Sequence, residues 1–166
     1  MRGDGAEREG APIFSSIRSV LADYGVYLGT AEGVSMLPLI REGIDVIQVA
    51  PCDLSRLRPM DVVLFEMPGS PRGSYILHRV VRMGDGAIVT LGDNCVSTEL
   101  VQPSWVLGRL VGLYRDGGEA NALGAGVYRA YVALYCRPWG LRIRLVGAYR
   151  RMRHLGGSIL RRVGLR

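Results

Sequence analysis

The chain has 166 residues, enough for one domain, and its 48% apolar share fills a single core while its 22% charged share argues against whole-chain disorder. All 21 basic residues are arginine, so no mechanism here uses a lysine base, a Schiff base or a lysine phosphate clamp. The net charge of +6 is lopsided: residues 1–118 carry −3 and residues 119–166 carry +9, which points to a polyanionic partner, a membrane surface or nucleic acid.

Residues 1–11 are polar and read as disordered. Ile13, Ile17, Val20 and Leu21 recur at helical spacing, predicting a short amphipathic helix over 12–24 that ends at Gly25. From Val26 to Gly117 the pattern is β. Ile44–Val49 alternates, Asp61–Met67 is a short apolar run opened by Arg58-Pro59, and Tyr75–Met83 carries Ile76, Leu77, Val80 and Val81. Gly84-Asp85-Gly86 is a hairpin signal, Ala87–Leu91 returns, and Trp105–Tyr114 closes the set. The 23 glycines fit many turns between short strands better than long helices. Asp116-Gly117-Gly118 marks a boundary. Beyond it, Leu145, Tyr149, Met152, Leu155, Ile159 and Val163 fall on one face of a basic amphipathic helix interrupted by Gly156-Gly157. The predicted organisation is therefore a polar N-terminus and helix (1–24), a β domain (25–118) and a basic helical tail (119–166). No run of about 18 uncharged apolar residues occurs, so no spanning helix is expected.

Cys52, Cys95 and Cys136 are odd in number, far apart and without metal-ligand spacing, and read as idle thiols. Neither a metal nor a cofactor is expected. A peptide hydrolase without either needs a nucleophile, a base and an oxyanion site. Only two histidines exist. His154 sits among arginines, whereas His78 lies in a predicted strand inside the β body, and it is the one plausible base. Ser35 stands in Gly33-Val34-Ser35-Met36-Leu37-Pro38, where Gly33 permits a tight backbone approach and Pro38 stiffens the exit. Its own N–H is a candidate oxyanion donor.

Five blocks follow one another in order. They are Gly33-x-Ser35-Met36-x-Pro38, then Arg58-Pro59-x-Asp61-Val62-Val63-Leu64-Phe65, then Ile76-Leu77-His78-Arg79-Val80-Val81, then Leu91-Gly92-Asp93-Asn94, then Val106-Leu107-Gly108-Arg109-Leu110-Val111. As an ordered set over about residues 25–115 they resemble the signal peptidase I family, which shares its catalytic β-fold with LexA-type self-cleaving repressors. The resemblance implies a mainly β fold, a small coiled sheet or barrel, here with a short N-terminal helix and a basic helical tail. It also implies a serine endopeptidase that cleaves signal or leader peptides. His78-Arg79-Val80 matches the archaeal and endoplasmic-reticulum branch, which has histidine where the usual bacterial branch has lysine.

In that branch an aspartate of the Gly-Asp-Asn box and a later acidic residue support the site. Asp93 matches the first. Glu99 fills the second position, where the family usually has aspartate, so either Asp93 or Glu99 is the partner of His78. Many bacterial relatives add a hydroxyl donor at the place of Gly33, which this chain lacks; one such donor is worth about 100- to 1000-fold in turnover. Val34, Met36, Leu37 and Tyr75 are the candidate substrate-binding residues.

The expected partners are a precursor polypeptide and an anionic membrane surface met by residues 119–166, giving a peripheral membrane or cytoplasmic location. Nucleic acid is disfavoured, since the tail has no reading motif. A LexA-like self-cleaving regulator is an alternative opposed by the missing lysine and by the short N-terminus. A non-catalytic peptide-binding module of the same fold is another, and the departures at Gly33 and Glu99 keep it open.

Overall fold

The computed structural model describes residues 16–69, 74–84, 86–116, 122–124, 126–146 and 148. Helix α1 (Ile17–Tyr24) starts where the Ser16 hydroxyl accepts the Ser19 N–H at 3.1 Å. It stops at Gly25, whose left-handed φ of 68° lets its N–H reach the Leu21 carbonyl. Leu21 and Ile17 point into the core, and Arg18 bridges to Glu66 at 2.8 Å. The predicted helix started at residue 12; residues 12–15 lie outside the described residues.

Seven strands follow: β1 (Tyr27–Thr30), β2 (Val46–Ala50), β3 (Val62–Met67), β4 (Ser74–Gly84), β5 (Ala87–Leu91), β6 (Glu99–Val101) and β7 (Val106–Tyr114). All neighbours are antiparallel, in the order β1-β2-β7-β3-β4-β5-β6. The protein is thus mainly β, and the sheet curls into a half-barrel. Register shifts at Gln48/Val49, Leu64/Phe65 and Val80/Arg82 add local bend and twist. Five strands fall within a residue or two of the sequence expectation. β1 and β6 are strands that the hydropathy pattern did not single out.

Side-chain alternation gives the sheet two apolar faces. Val62 and Leu64 of β3 join Ile47, Val49, Leu110 and Leu113 in one cluster with Met36 and Ile40. Val63 and Phe65, between them in sequence, join Val80, Ile88 and Val101 in the other.

After the sheet, α2 (Gly126–Tyr131), a wider turn (Val132–Cys136) and a helical run over 139–146, here α3, pack back onto it. Tyr128 and Tyr131 lie against the first cluster. The predicted tail helix is present to that extent. The further positions of its apolar face, Tyr149, Met152, Leu155, Ile159 and Val163, lie outside the described residues, as do residues 1–11, Asp85, Gly117 and Gly118. Among the described residues no helix is long and apolar enough to cross a membrane.

Asp45, fully buried, ends the long β1–β2 connection. Its carboxylate accepts from the Arg41 N–H at 2.8 Å, from the Arg41 guanidinium at 2.7 and 2.9 Å, and from Arg115 at 3.0 Å. Burial alone would raise its pKa, but these bonds outweigh it and hold the group at about 2 rather than 3.8. A carboxyl depressed by folding adds stability above its unfolded pKa and loses it as pH falls toward the folded one. Asp45→Asn should therefore cost about 2 kcal/mol at neutral pH. The gap to the parent protein should shrink as pH drops from 3.8 to about 2. Urea unfolding across this range measures it, and a gap independent of pH would assign the loss to packing instead.

Candidate active site

Ser35 sits in the β1–β2 connection, a loop held at several points. The Gly43 N–H bonds the Ala31 carbonyl at 3.1 Å and the Gly33 N–H bonds Glu42 Oε1 at 2.7 Å. Gly33 has φ of 83°, a conformation that strains any residue with a Cβ. The Leu37 N–H closes a turn onto the Val34 carbonyl, and the Leu37–Pro38 peptide is cis. Met36, Leu39 and Ile40 are buried, so the loop is nailed into the core on the far side of Ser35. The half-buried Ser35 keeps its hydroxyl and its N–H free of hydrogen bonds among the described residues. Both are available to a ligand.

His78 stands in the middle of β4, 5% exposed. Its Nδ1 lies 2.6 Å from Glu99 Oε2, and the Thr90 hydroxyl donates to the same oxygen at 3.2 Å. Phe65 packs edge-on at 6.3 Å between ring centres. A carboxylate on Nδ1 places the neutral ring's proton there and leaves the lone pair on Nε2. β6 lies beyond β5 from β4, two strand spacings or nominally about 10 Å away. The extra methylene of glutamate over aspartate helps span that gap.

Gly92 shows how closely Ser35 and His78 approach. A methyl group built at position 92 would stand 2.8 Å from the Ser35 carbonyl oxygen, 3.0 Å from His78 Nε2 and 2.7 Å from Cys95 Sγ. The Ser35 carbonyl and Nε2 are therefore at most 5.8 Å apart. Any side chain at 92 would wedge them open.

Asp93 faces elsewhere. Arg79 holds it with two parallel bonds, Nε to Oδ1 at 2.7 Å and Nη2 to Oδ2 at 2.6 Å, in a pair 1% and 2% exposed. Arg79 Nη1 also donates to the Met60 carbonyl, and the Tyr131 hydroxyl donates to Asp93 Oδ2 at 2.9 Å. Adjacent strand residues point to opposite faces, so His78 and Arg79 cannot share one carboxylate. Of the two sequence candidates, Glu99 meets the imidazole and Asp93 binds the neighbouring guanidinium. Burial would lower the pKa of Arg79, but its bonds to Asp93 hold it above its ordinary value. Burial, then the charge of Asp93, raises that of Tyr131, which stays a donor. Burial also raises the thiol pKa values of Cys52, Cys95 and Cys136, which suits none of them to attack as thiolate.

Ser35 and His78 open onto one cleft of about 740 Å³, with apolar walls from Ile17, Tyr27, Met36, Leu64 and Tyr75. Of the expected substrate-binding residues, Met36 forms its buried floor and Tyr75 its wall. Val34, 53% exposed, and the half-buried Leu37 flank Ser35 without lining the cleft. No group of His, Cys, Asp and Glu among the described residues is arranged to hold a metal. Thr90, the close approach at Gly92 and the tyrosines after the sheet went unseen in the sequence. The spacing Tyr128, Tyr131, Tyr135 on one helical face was the available signal.

The two carboxylates should separate cleanly by mutation. Asp93→Asn leaves Arg79 buried without its counter-charge and should cost about 3–5 kcal/mol. Glu99→Gln, at a side chain 31% exposed, should change stability by less than about 1 kcal/mol. Urea denaturation of both variants decides it; equal losses would contradict the division of roles.

A scan of protein-family models finds no match to this chain, and neither the curated proteins nor the solved structures contain one significantly similar to it.

Proposed function

We propose that this chain is a serine endopeptidase of the signal peptidase type, acting on signal or leader segments of precursor polypeptides. One observation carries the reading: an imidazole tied to a carboxylate through Nδ1 opens onto the same cleft as a serine with a free hydroxyl and a free N–H. The curled antiparallel sheet is compatible with the peptidase sheet of that family.

In this reading His78 Nε2 takes the Ser35 proton as Oγ attacks the scissile carbonyl. Glu99 holds the ring and stabilises the imidazolium. The oxyanion accepts from the Ser35 N–H. The imidazolium then protonates the departing amine, and water, activated by the same ring, releases the acyl group from Ser35. Gly33 supplies no hydroxyl to the oxyanion. The space beside it is empty to 4 Å, which leaves room for a substrate backbone. An extended peptide lies along the cleft with its apolar side chains toward Met36 and Tyr75.

A fluorophosphonate probe read by intact mass tests the chemistry. Ser35 should acquire one adduct, and Ser35→Ala and His78→Ala should abolish it. Glu99→Gln should lower peptide turnover by about 100- to 10,000-fold, since an amide no longer stabilises the imidazolium. An unlabelled, folded parent protein sinks the enzyme reading. Peptide binding that survives Ser35→Ala would then favour the non-catalytic module.

We further propose an anionic membrane surface as the docking partner. The outward side of the segment 126–146 exposes Val127, Leu134, Leu141 and Leu145 beside Arg129, Arg137 and Arg144, and residues 122–148 contain no acidic side chain. Each arginine near such a surface contributes about 1 kcal/mol. The protein should cosediment with phosphatidylserine vesicles, less so at high salt and less in Leu134→Asp/Leu141→Asp. Binding equal to neutral vesicles would remove the membrane from the proposal.

A further inference from the structure

The turn Gly92-Asp93-Asn94 touches the Ser35 loop on one side and the post-sheet helices on the other. On the loop side, the Asn94 N–H donates to the Ser35 carbonyl at 2.7 Å, and Asn94 Nδ2 donates to the Val34 carbonyl at 3.1 Å. On the helix side, the Asp93 carbonyl accepts from the Tyr135 hydroxyl at 3.2 Å and from Arg142 Nη1 at 2.5 Å. The Asp93 carbonyl and the Asn94 N–H belong to one peptide unit, which is planar and stiff. A group that fixes the carbonyl end therefore fixes the direction of the N–H end.

We infer that Tyr135 and Arg142 are positioning residues for Ser35, acting through the Asp93–Asn94 peptide plane. The inference rests on the hydrolase reading for its kinetic consequence but not for its structural one. The helical segment holds this plane from several directions. Tyr131 and Tyr135 stack at 5.4 Å, Arg142 lies over the Tyr135 ring at 4.7 Å, and the Tyr131 hydroxyl binds the Asp93 carboxylate. Charge balance does not require these contacts, because Arg79 already neutralises Asp93 with two bonds. What they add is direction. Accepting two donors at the carbonyl also polarises the plane and strengthens the N–H bond to Ser35. A rotated plane would move the Ser35 carbonyl, which stands 2.8 Å from the site of the absent Gly92 side chain, against His78 Nε2 at 3.0 Å from the same point.

The test compares the full-length protein with Tyr135→Phe/Arg142→Gln, Arg142→Lys and Ala133→Ser. Ala133 is exposed on the same helical segment and serves as control. Amide hydrogen exchange at Asn94 should accelerate about tenfold in the double variant, while that of the β3 core stays slow. Peptide kcat should fall about 10- to 100-fold with KM within about twofold, the signature of a displaced nucleophile. Arg142→Lys, which keeps a donor, should recover most of both, and Ala133→Ser should match the parent. Tyr135→Phe alone gives the same comparison if the double variant does not fold. Unchanged Asn94 exchange in a folded variant overturns the relay. So does faster exchange with kcat within about twofold of the parent. If the parent protein neither turns over peptide nor takes a Ser35 adduct, the hydrolase reading fails, and Asn94 exchange alone decides the relay.

Discussion

The buried pair of Arg79 and Asp93 is the constraint around which the site is arranged. An arginine without a counter-charge at 1% exposure is untenable, so the chain must deliver a carboxylate to that face of β4. Doing so fixes the turn after β5, because Asp93 lies two residues past the end of that strand. It also settles which acid serves His78. Neighbours on a strand look in opposite directions, and the carboxylate demanded by the guanidinium is lost to the imidazole. Glu99 reaches His78 from the other face.

Arginine plays the same part at the other end of the Ser35 loop. Asp45 is wrapped by Arg41 and Arg115, and Arg115 also donates to the Leu39 carbonyl at 2.7 Å. A planar fork can bridge a carboxylate and a carbonyl together, which an ammonium does less well. In a protein without lysine, two buried aspartates each held by guanidinium groups fasten the segment around Ser35. One grips it near Asp45, the other through Asn94. These anchors from outside add to the loop's own hydrogen bonds.

Much of this was legible in the residue pattern. Five strands announced themselves by alternation or by apolar runs between turn signals, and His78 stood in one of them. β6 did not, because Glu99-Leu100-Val101 is too short for a period of two to show and it exists through pairing with β5. The choice between Asp93 and Glu99 depended on that hidden strand. Strand parity puts His78 and Arg79 on opposite faces, but which acid meets which needs the register of β5 and β6. The tyrosines after the sheet were masked by the arginines among them. Reading the segment as a charged surface helix hid its inward face, where Tyr128, Tyr131 and Tyr135 meet the ion pair. Val34 and Leu37 stand beside Ser35 in sequence yet outside the cleft lining, because a tight turn sends adjacent side chains apart.

The place of β7 has a consequence for the order of assembly. It comes last among the strands in sequence, yet lies between β2 and β3 in space. Ser35 belongs to the β1–β2 side and His78 with Glu99 to the β3–β6 side, so no strand pairing joins the two sides until Val106–Tyr114 has been made and inserted. Closing such distant pairings is slow, since loop entropy must be overcome before the contacts form. A partly synthesised chain holds a serine and a histidine that have not yet met. The meeting of Ser35 with His78 thus arrives late, after the molecule has a finished interior of its own.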